Sequence, residues 1–259
     1  MLTLLGVGQG QVSTSFDADY QAVLDRATTL GYDLPTLAQQ NLQNQLLIDL
    51  KAVGVWDKLD VFYNFAFSPS VGGVDFATLN WKAPTLNQCT LFNSITFISN
   101  EGFQGNGIDT YIDTNFQLAS GVNYTLNNAS RYIWMSIASG TGVFDGNSVA
   151  STNTIRRQSS SAQRINQGAT GVSPIFDYNS TSGLKSIHRT SVTNITLFNG
   201  NASETRIVTS AVVTSANHLI LRSQAIYGAH TIGMFSAGAS LVTENTDFLN
   251  AYTTYINSI

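Results

Sequence analysis

Gly102-Phe103-Gln104-Gly105-Asn106-Gly107-Ile108-Asp109-Thr110-Tyr111-Ile112-Asp113-Thr114-Asn115-Phe116 is the stretch on which the reading of this chain turns. Three glycines in six residues mark a turn, because glycine reaches the positive φ values that a tight reversal requires. Tyr111-Ile112-Asp113-Thr114 behind them carries β-forming residues and no run of charge, so it reads as a strand. The turn and strand open a long region rich in Ser, Thr and Asn.

Working outward, short apolar runs separated by Gly, Asn and Ser recur after residue 85. Candidate strands are 94–99, 111–114, 132–138, 154–157, 187–191, 195–198, 206–213, 218–222 and 226–235. Many short strands of this kind predict a sandwich. Asn199-Gly200 is a hairpin signal, and Gly233–Gly238 reads as a closing strand facing the core. Phe248, Leu249, Tyr252, Tyr255 and Ile256 fall at helical spacing, which predicts a terminal helix over about 245–256, capped by Thr243 or Asn245. There is no internal repeat, which argues against solenoids and propellers.

Toward the N-terminus the pattern changes. Residues 1–15, broken by Gly6, Gly8 and Gly10, read as a flexible arm, either frayed or able to dock on a neighbouring subunit. Asp17 or Asp19 can cap a first helix with Tyr20, Val23, Leu24 and Ala27 on one face, ended by Gly31. Asp33 and Pro35 signal a second start, and Leu34, Leu37, Leu42, Leu46, Leu47, Leu50 and Val53 form an amphipathic stripe closed by Gly54. A short third helix carrying Trp56, Leu59, Phe62 and Tyr63 is expected. This stretch is too small to fold alone, so its apolar stripe must lie against the β region or another subunit.

The Gly-Asn-Gly turn leading into Tyr-Ile-Asp-Thr resembles the start of the concanavalin A-like (LamG/pentraxin-like) jelly-roll found in many bacteriophage structural proteins. The run Asn44–Tyr63, with Phe76–Lys82 after it, resembles the helical segment that precedes the jelly-roll in structural proteins of tailed phages infecting Bacteroidetes. The resemblance implies a mainly β fold: a concanavalin A-like jelly-roll sandwich preceded by a small N-terminal helical module and closed by a C-terminal helix. The implied divisions are a flexible arm at 1–15, a helical docking module at 16–68 and the sandwich with its helix at 69–259.

Composition sets bounds on function. The chain has 259 residues, 43% hydrophobic and 11% charged, which is neither disorder nor a charge-laced helical bundle. A net charge of −4 argues against nucleic acid as the main partner. Cys89 is alone, so no intramolecular disulfide is available and the thiol reads as a small buried hydrophobe. Met1–Gly10 is apolar but lacks the charge and length of a secretory leader, and no run is long enough for a membrane span. Five sequons, at Asn123, Asn128, Asn179, Asn194 and Asn201, are chance in a chain so rich in these letters unless the host is eukaryotic.

Residues able to carry chemistry are sparse. Glu101, Glu204 and Glu244 are far apart, without the paired carboxylates of a glycoside hydrolase. Asp109 and Asp113 read either as a carboxylate pair or Ca²⁺ site, or as turn capping beside Gly107. His188, His218 and His230 show no metal-ligand spacing and no nucleophile elbow accompanies them. Gly6, Gly8 and Gly10 mimic a glycine-rich loop but fail its context. Arg156, Arg157, Arg164 and Arg189 form the one basic concentration, read as a solvated face or as a contact for acidic glycan or a neighbouring subunit. The acidic residues of the helical module, Asp17 to Asp60, are a conceivable counterpart. Trp134, Tyr132, Tyr178 and Tyr227 suit sugar stacking, although Trp134 sits in a strongly β run that favours the core. Trp56 and Trp81 read as anchors between the helices and the sandwich. No catalytic, cofactor or metal residue is assigned, and the ligand-binding residues stay open.

The expected function is therefore a non-enzymatic virion structural protein of a tailed phage: a tail or head fibre, an adhesin or a capsid decoration, assembled in the bacterial cytoplasm. Its expected partners are other virion proteins and sibling subunits, with a homotrimer by analogy, and host surface polysaccharide. A lectin-like receptor-binding protein is the alternative. A glycan-degrading enzyme on the same fold ranks third, and a secreted bacterial lectin fourth.

Overall fold

The computed structural model describes residues 15–69, 73–139, 142–149, 153–156, 163–167 and 182–259. Two helices come first, α1 (Ala18–Leu30) and α2 (Leu37–Ala52). Strands β1 (Leu59–Asn64), β2 (Thr90–Phe92), β3 (Thr96–Ile98), β4 (Gly102–Gln104), β5 (Tyr111–Gln117), β6 (Ala129–Ile137), β7 (Val143–Asn147) and β8 (Ile155–Arg156) follow. Then come β9 (Gly183–Arg189), β10 (Asn194–Asn199), β11 (Ala202–Ile207), β12 (Asn217–Ile220), β13 (Arg222–Ser223), β14 (Ile226–Tyr227), β15 (Thr231–Gly238) and α3 (Asn245–Ile256). The arm expected at 1–15 lies outside the described residues except for Ser15.

The strands form an antiparallel sandwich, as expected of a jelly-roll. One sheet runs β11-β10-β9-β6-β15-β4-β3, with β1 also paired to β15. The other runs β2-β5-β12-β7-β8, and β13-β14 is a separate hairpin. Arg131 on β6 bonds Asp145 on β7, and His218 on β12 stacks on Phe235 of β15, so those side chains fill the space between the sheets. The alternate residues of β6 point the other way: Tyr132 packs on Phe248 and Trp134 on Tyr252, both from α3. Strand β6 is thus covered on both faces, which is why Ala129–Met135 is buried without alternation.

The helices form where expected. Asp17 caps α1 by accepting the Asp19 N–H, and Gly31 ends it at φ +72°. The second start signal falls one residue late: Thr36, not Asp33 or Pro35, caps α2 by accepting the Gln39 N–H. Trp56, Trp81, Tyr20 and Phe62 form an aromatic cluster between the helices and the larger sheet. The apolar face of α1 and Leu46, Leu47 and Leu50 of α2 therefore join the sandwich core, with Leu34, Leu42 and Val53 packed at its edge, whereas Leu37, counted in the stripe, is exposed. Helix α3 has the expected span, but neither Thr243 nor Asn245 caps it; Glu244 is the N-cap, and its side chain makes no capping bond.

The third helix is not one. After a single 3-10 turn at Trp56–Lys58, residues Leu59–Asn64 are a strand pairing with β15. Its apolar spacing fits a helix turn, but the strand is buried on both faces, which erases the period of two that would have disclosed it. Gly233–Gly238 is, as expected, the last strand of the chain and buried throughout; within β15 it also forms the spine of its sheet, with β6 on one side and β1 and β4 on the other. Gly102–Gln104, read as turn, is strand β4, and Val143–Asn147 is a buried strand that its Asp, Gly and Asn concealed. The strand expected at 206–213 is displaced to Ala202–Ile207, and that at 226–235 divides into β14 and β15. The β10–β11 hairpin forms, with Gly200-Asn201 as its two-residue loop and Gly200 at φ +61°.

Candidate functional site

The outer face of the smaller sheet is built by strict register. Phe92 on β2 stands opposite Tyr111 on β5, and their rings stack at 4.4 Å with an interplanar angle of 4°. Tyr227 on β14 lies 6.2 Å from Tyr111, and the Arg222 guanidinium carbon lies 4.5 Å from the Tyr111 ring centre and 5.3 Å from that of Tyr227. All four side chains are half-buried, so part of each remains exposed to solvent.

The hairpin carrying Arg222 and Tyr227 is laid on this face by two local features. Leu221 adopts φ +65°, a left-handed conformation that turns the chain out of β12. Its N–H donates to the Phe144 carbonyl and its own carbonyl accepts from the Gly228 N–H, holding it there. Gly146 then makes room: a Cβ on it would stand 2.4 Å from the Ser223 Cβ.

A polar row continues along the same face of β5. Asp113 accepts the Asn115 N–H (2.8 Å) and the Asn217 side-chain amide (3.2 Å). Asn115 donates to the Gln88 carbonyl and to Thr90 Oγ1, and Gln117 donates to the Asn217 Oδ1. The row presents amide and carboxylate groups, donors and acceptors together, beside a flat aromatic surface. At the other border the Asn106 Oδ1 accepts the N–H groups of Ile108, Asp109 and Thr110, and Asp109 accepts from Asn106 Nδ2. Asp109 and Asp113 thus serve separate turn and strand bonds, the capping alternative.

A second polar cluster lies between the sheets. Arg131 Nη1 donates to Asp145 Oδ2 at 2.6 Å, and His218 Nε2 is 3.1 Å from the same oxygen. The Ile155 N–H supplies Asp145 Oδ1, and Arg131 Nη2 donates to the Arg164 carbonyl. None of the three side chains has any solvent exposure. Burial works to raise the Asp145 carboxyl, but the Arg131 charge and His218 outweigh it and hold it below the ordinary range. Burial, aided by Arg131 and opposed by Asp145, lowers His218, which is neutral near pH 7. A closed, fully buried cluster of this kind braces the two sheets, although Arg131 Nε and His218 Nδ1 find no hydrogen-bond partner among the described residues.

The residues singled out from sequence scatter. Of the four aromatics, Tyr227 joins the outer face, Trp134 and Tyr132 are buried behind α3, and Tyr178 lies outside the described residues. The basic concentration is not a solvated face at Arg189, which is fully buried and donates to the carbonyls of Ile165 and Val208. Arg164 is half-buried; Arg157 and the Arg156 side chain lie outside the described residues. Asp17 and Asp19 are paired with Lys51, and Glu244 with Lys58. His188 and His230 are fully buried, each accepting a backbone N–H at Nδ1, from Leu241 and Ser139. Phe92, Tyr111 and Arg222 were not singled out, and only the proximity of Tyr111 to the glycine turn hinted at it. Among the described residues no group of three or more His, Cys, Asp or Glu is placed to hold a metal ion, and no helix is long and apolar enough to cross a membrane.

No family model and no curated protein matches the sequence. Solved structures do share the fold. Trypanosoma rangeli sialidase superposes with a TM-score of 0.52 at 10% identity, over 85% of this chain and 40% of that one. Domain 4 of AbnA, a GH43 extracellular arabinanase from Geobacillus stearothermophilus, in complex with arabinotriose, gives 0.44 at 14% identity over 74% of this chain and 98% of that one. The botulinum neurotoxin serotype D binding domain gives 0.45 at 11% identity over 77% and 52%. The chain therefore spans two-fifths of the sialidase and about half of the toxin domain. At 10% identity the likeness to the sialidase is one of fold alone.

Proposed function

We propose that this protein is a non-catalytic recognition domain that binds saccharide on the outer face of its smaller sheet, and that a tailed-phage virion carries it. The observation behind the saccharide reading is the Phe92–Tyr111–Arg222–Tyr227 surface beside the Asp113–Asn115–Asn217–Gln117 row. Sugar rings present apolar C–H faces that stack on aromatics and hydroxyls that pair with amides and carboxylates. A fold shared with a sialidase is compatible with this and adds no more than the scaffold. The virion setting is supported by the resemblance of the Gly102–Phe116 and Asn44–Tyr63 segments to phage structural proteins. Contacts with sibling subunits have a candidate in Leu86 and Val122, 60% and 87% exposed, which border one groove with Asp60 and Phe116. In such a particle, many weak contacts multiplied by copy number would supply the strength of attachment.

The test is binding of the purified protein to bacteria and to their extracted surface polysaccharides. Saturable binding that one polysaccharide competes, weakened about tenfold or more by Tyr111→Ala, is the expected result, since a base or sugar ring stacked on an aromatic is worth roughly 1–3 kcal/mol. Absence of binding at concentrations where avidity would show overturns the saccharide reading.

A further inference from the structure

The position of Arg222 narrows the ligand. Its guanidinium packs against Tyr111 and Tyr227, 4.5 Å and 5.3 Å from the two ring centres. Its Nε donates to the Gln224 carbonyl at 3.0 Å, within its own hairpin, which fixes the plane of the fork. The two Nη groups have no hydrogen-bond partner among the described residues, and no described carboxylate pairs with the charge. The acids on this face and at its border are hydrogen-bonded elsewhere: Asp113 to the Asn115 N–H and Asn217, Asp109 to Asn106.

We infer that Arg222 selects saccharides that carry a carboxylate, such as uronic acids, an inference that rests on the saccharide reading above. A guanidinium held by stacking and by one backbone bond has lost most of its conformational freedom before a ligand arrives. Its two outward N–H groups match the two oxygens of a planar carboxylate. The sugar ring bearing that carboxylate then meets Tyr111 and Phe92, and its hydroxyls meet the polar row. Sulfate and phosphate esters share the oxyanion chemistry but not the planar two-oxygen geometry.

The experiment compares the intact protein's affinity for an oligogalacturonide, for the same oligosaccharide after carbodiimide-borohydride reduction of its carboxylates to alcohols, and for a sulfated oligosaccharide of equal length. Each is measured by calorimetry at low and physiological salt. Expected is a preference of about tenfold or more for the uronide over its reduced form, as a charge-assisted pair supplies. Arg222→Gln should abolish that preference while leaving residual binding of the reduced sugar, and Arg222→Lys should restore it in part. An unchanged melting temperature in Arg222→Gln separates this from loss of fold. Equal binding of the uronide and its reduced form overturns the inference and leaves the saccharide reading standing. A preference for the sulfated sugar also overturns it. Binding of none of the three overturns both.

Discussion

Arg131 and Asp145 come from opposite sheets and meet at 2.6 Å with no solvent exposure on either side chain. Removing one partner leaves the other charge buried and unmatched. Asp145→Ala or Arg131→Ala should therefore each lose about 3–5 kcal/mol of stability, whereas a joint replacement by Leu and Met should cost much less than their sum. Guanidinium denaturation of the three variants checks this; simple additivity would mean that the pair does not act as a unit.

His188 gives the protein an acid weakness of definite sign. Its Nδ1 accepts the Leu241 N–H and its Nε2 lies 2.9 Å from Ser186 Oγ, an arrangement that suits the neutral ring. Burial lowers it from 6.5 to about 3. A histidine depressed on folding takes its proton in the unfolded chain first. Its contribution is complete above pH 6.5 and is lost as the pH falls toward 3, amounting to about 2 kcal/mol by pH 5. His218 acts in the same direction, while Asp145 weakens the fold only below its ordinary value of 3.8. Denaturation midpoints at pH 7 and pH 5 should differ accordingly, and His188→Asn should reduce the difference, leaving the part due to His218.

Gly146 couples the sheet to the proposed binding face. Its missing Cβ is the space in which Ser223 sits. Gly146→Ala should lift the β13–β14 hairpin, carrying Arg222 and Tyr227 off Tyr111, and destabilise the fold by about 1–3 kcal/mol as overpacking does. Fluorescence-detected melting with a saccharide-binding assay checks it: binding should fall further than the stability loss alone would explain.

Asp60, on the strand that looked helical, pins a loop. Its carboxylate accepts the N–H groups of Val122, Asn123 and Tyr124 at 3.0, 2.9 and 2.7 Å. Asp60→Ala should cost about 1–3 kcal/mol and raise amide exchange at those three residues, because their donors lose a common acceptor.

Local signals in the sequence were enough to determine α1 with its Gly31 stop, its cap narrowed to Asp17 or Asp19, the span of α3, and the β10–β11 hairpin at Asn199-Gly200. Each depends on residues within a few positions of one another, where propensity and capping act. The β-forming residues of Tyr111–Thr114 likewise announced a strand; its extension to Gln117 and its one open face belong to the structure. What the tertiary structure alone decided is which strands adjoin. Leu59–Asn64 was misread because burial on both faces removes the period that marks a strand. Arg131, Asp145 and His218 are 14 and 73 residues apart along the chain, and nothing local pairs them. The outer aromatic face has the same origin: Phe92, Tyr111, Arg222 and Tyr227 come from four strands, and Tyr227 by itself was one tyrosine among ten. Sheet register and the left-handed turn at Leu221 bring them together, and both are set by contacts between segments distant in sequence.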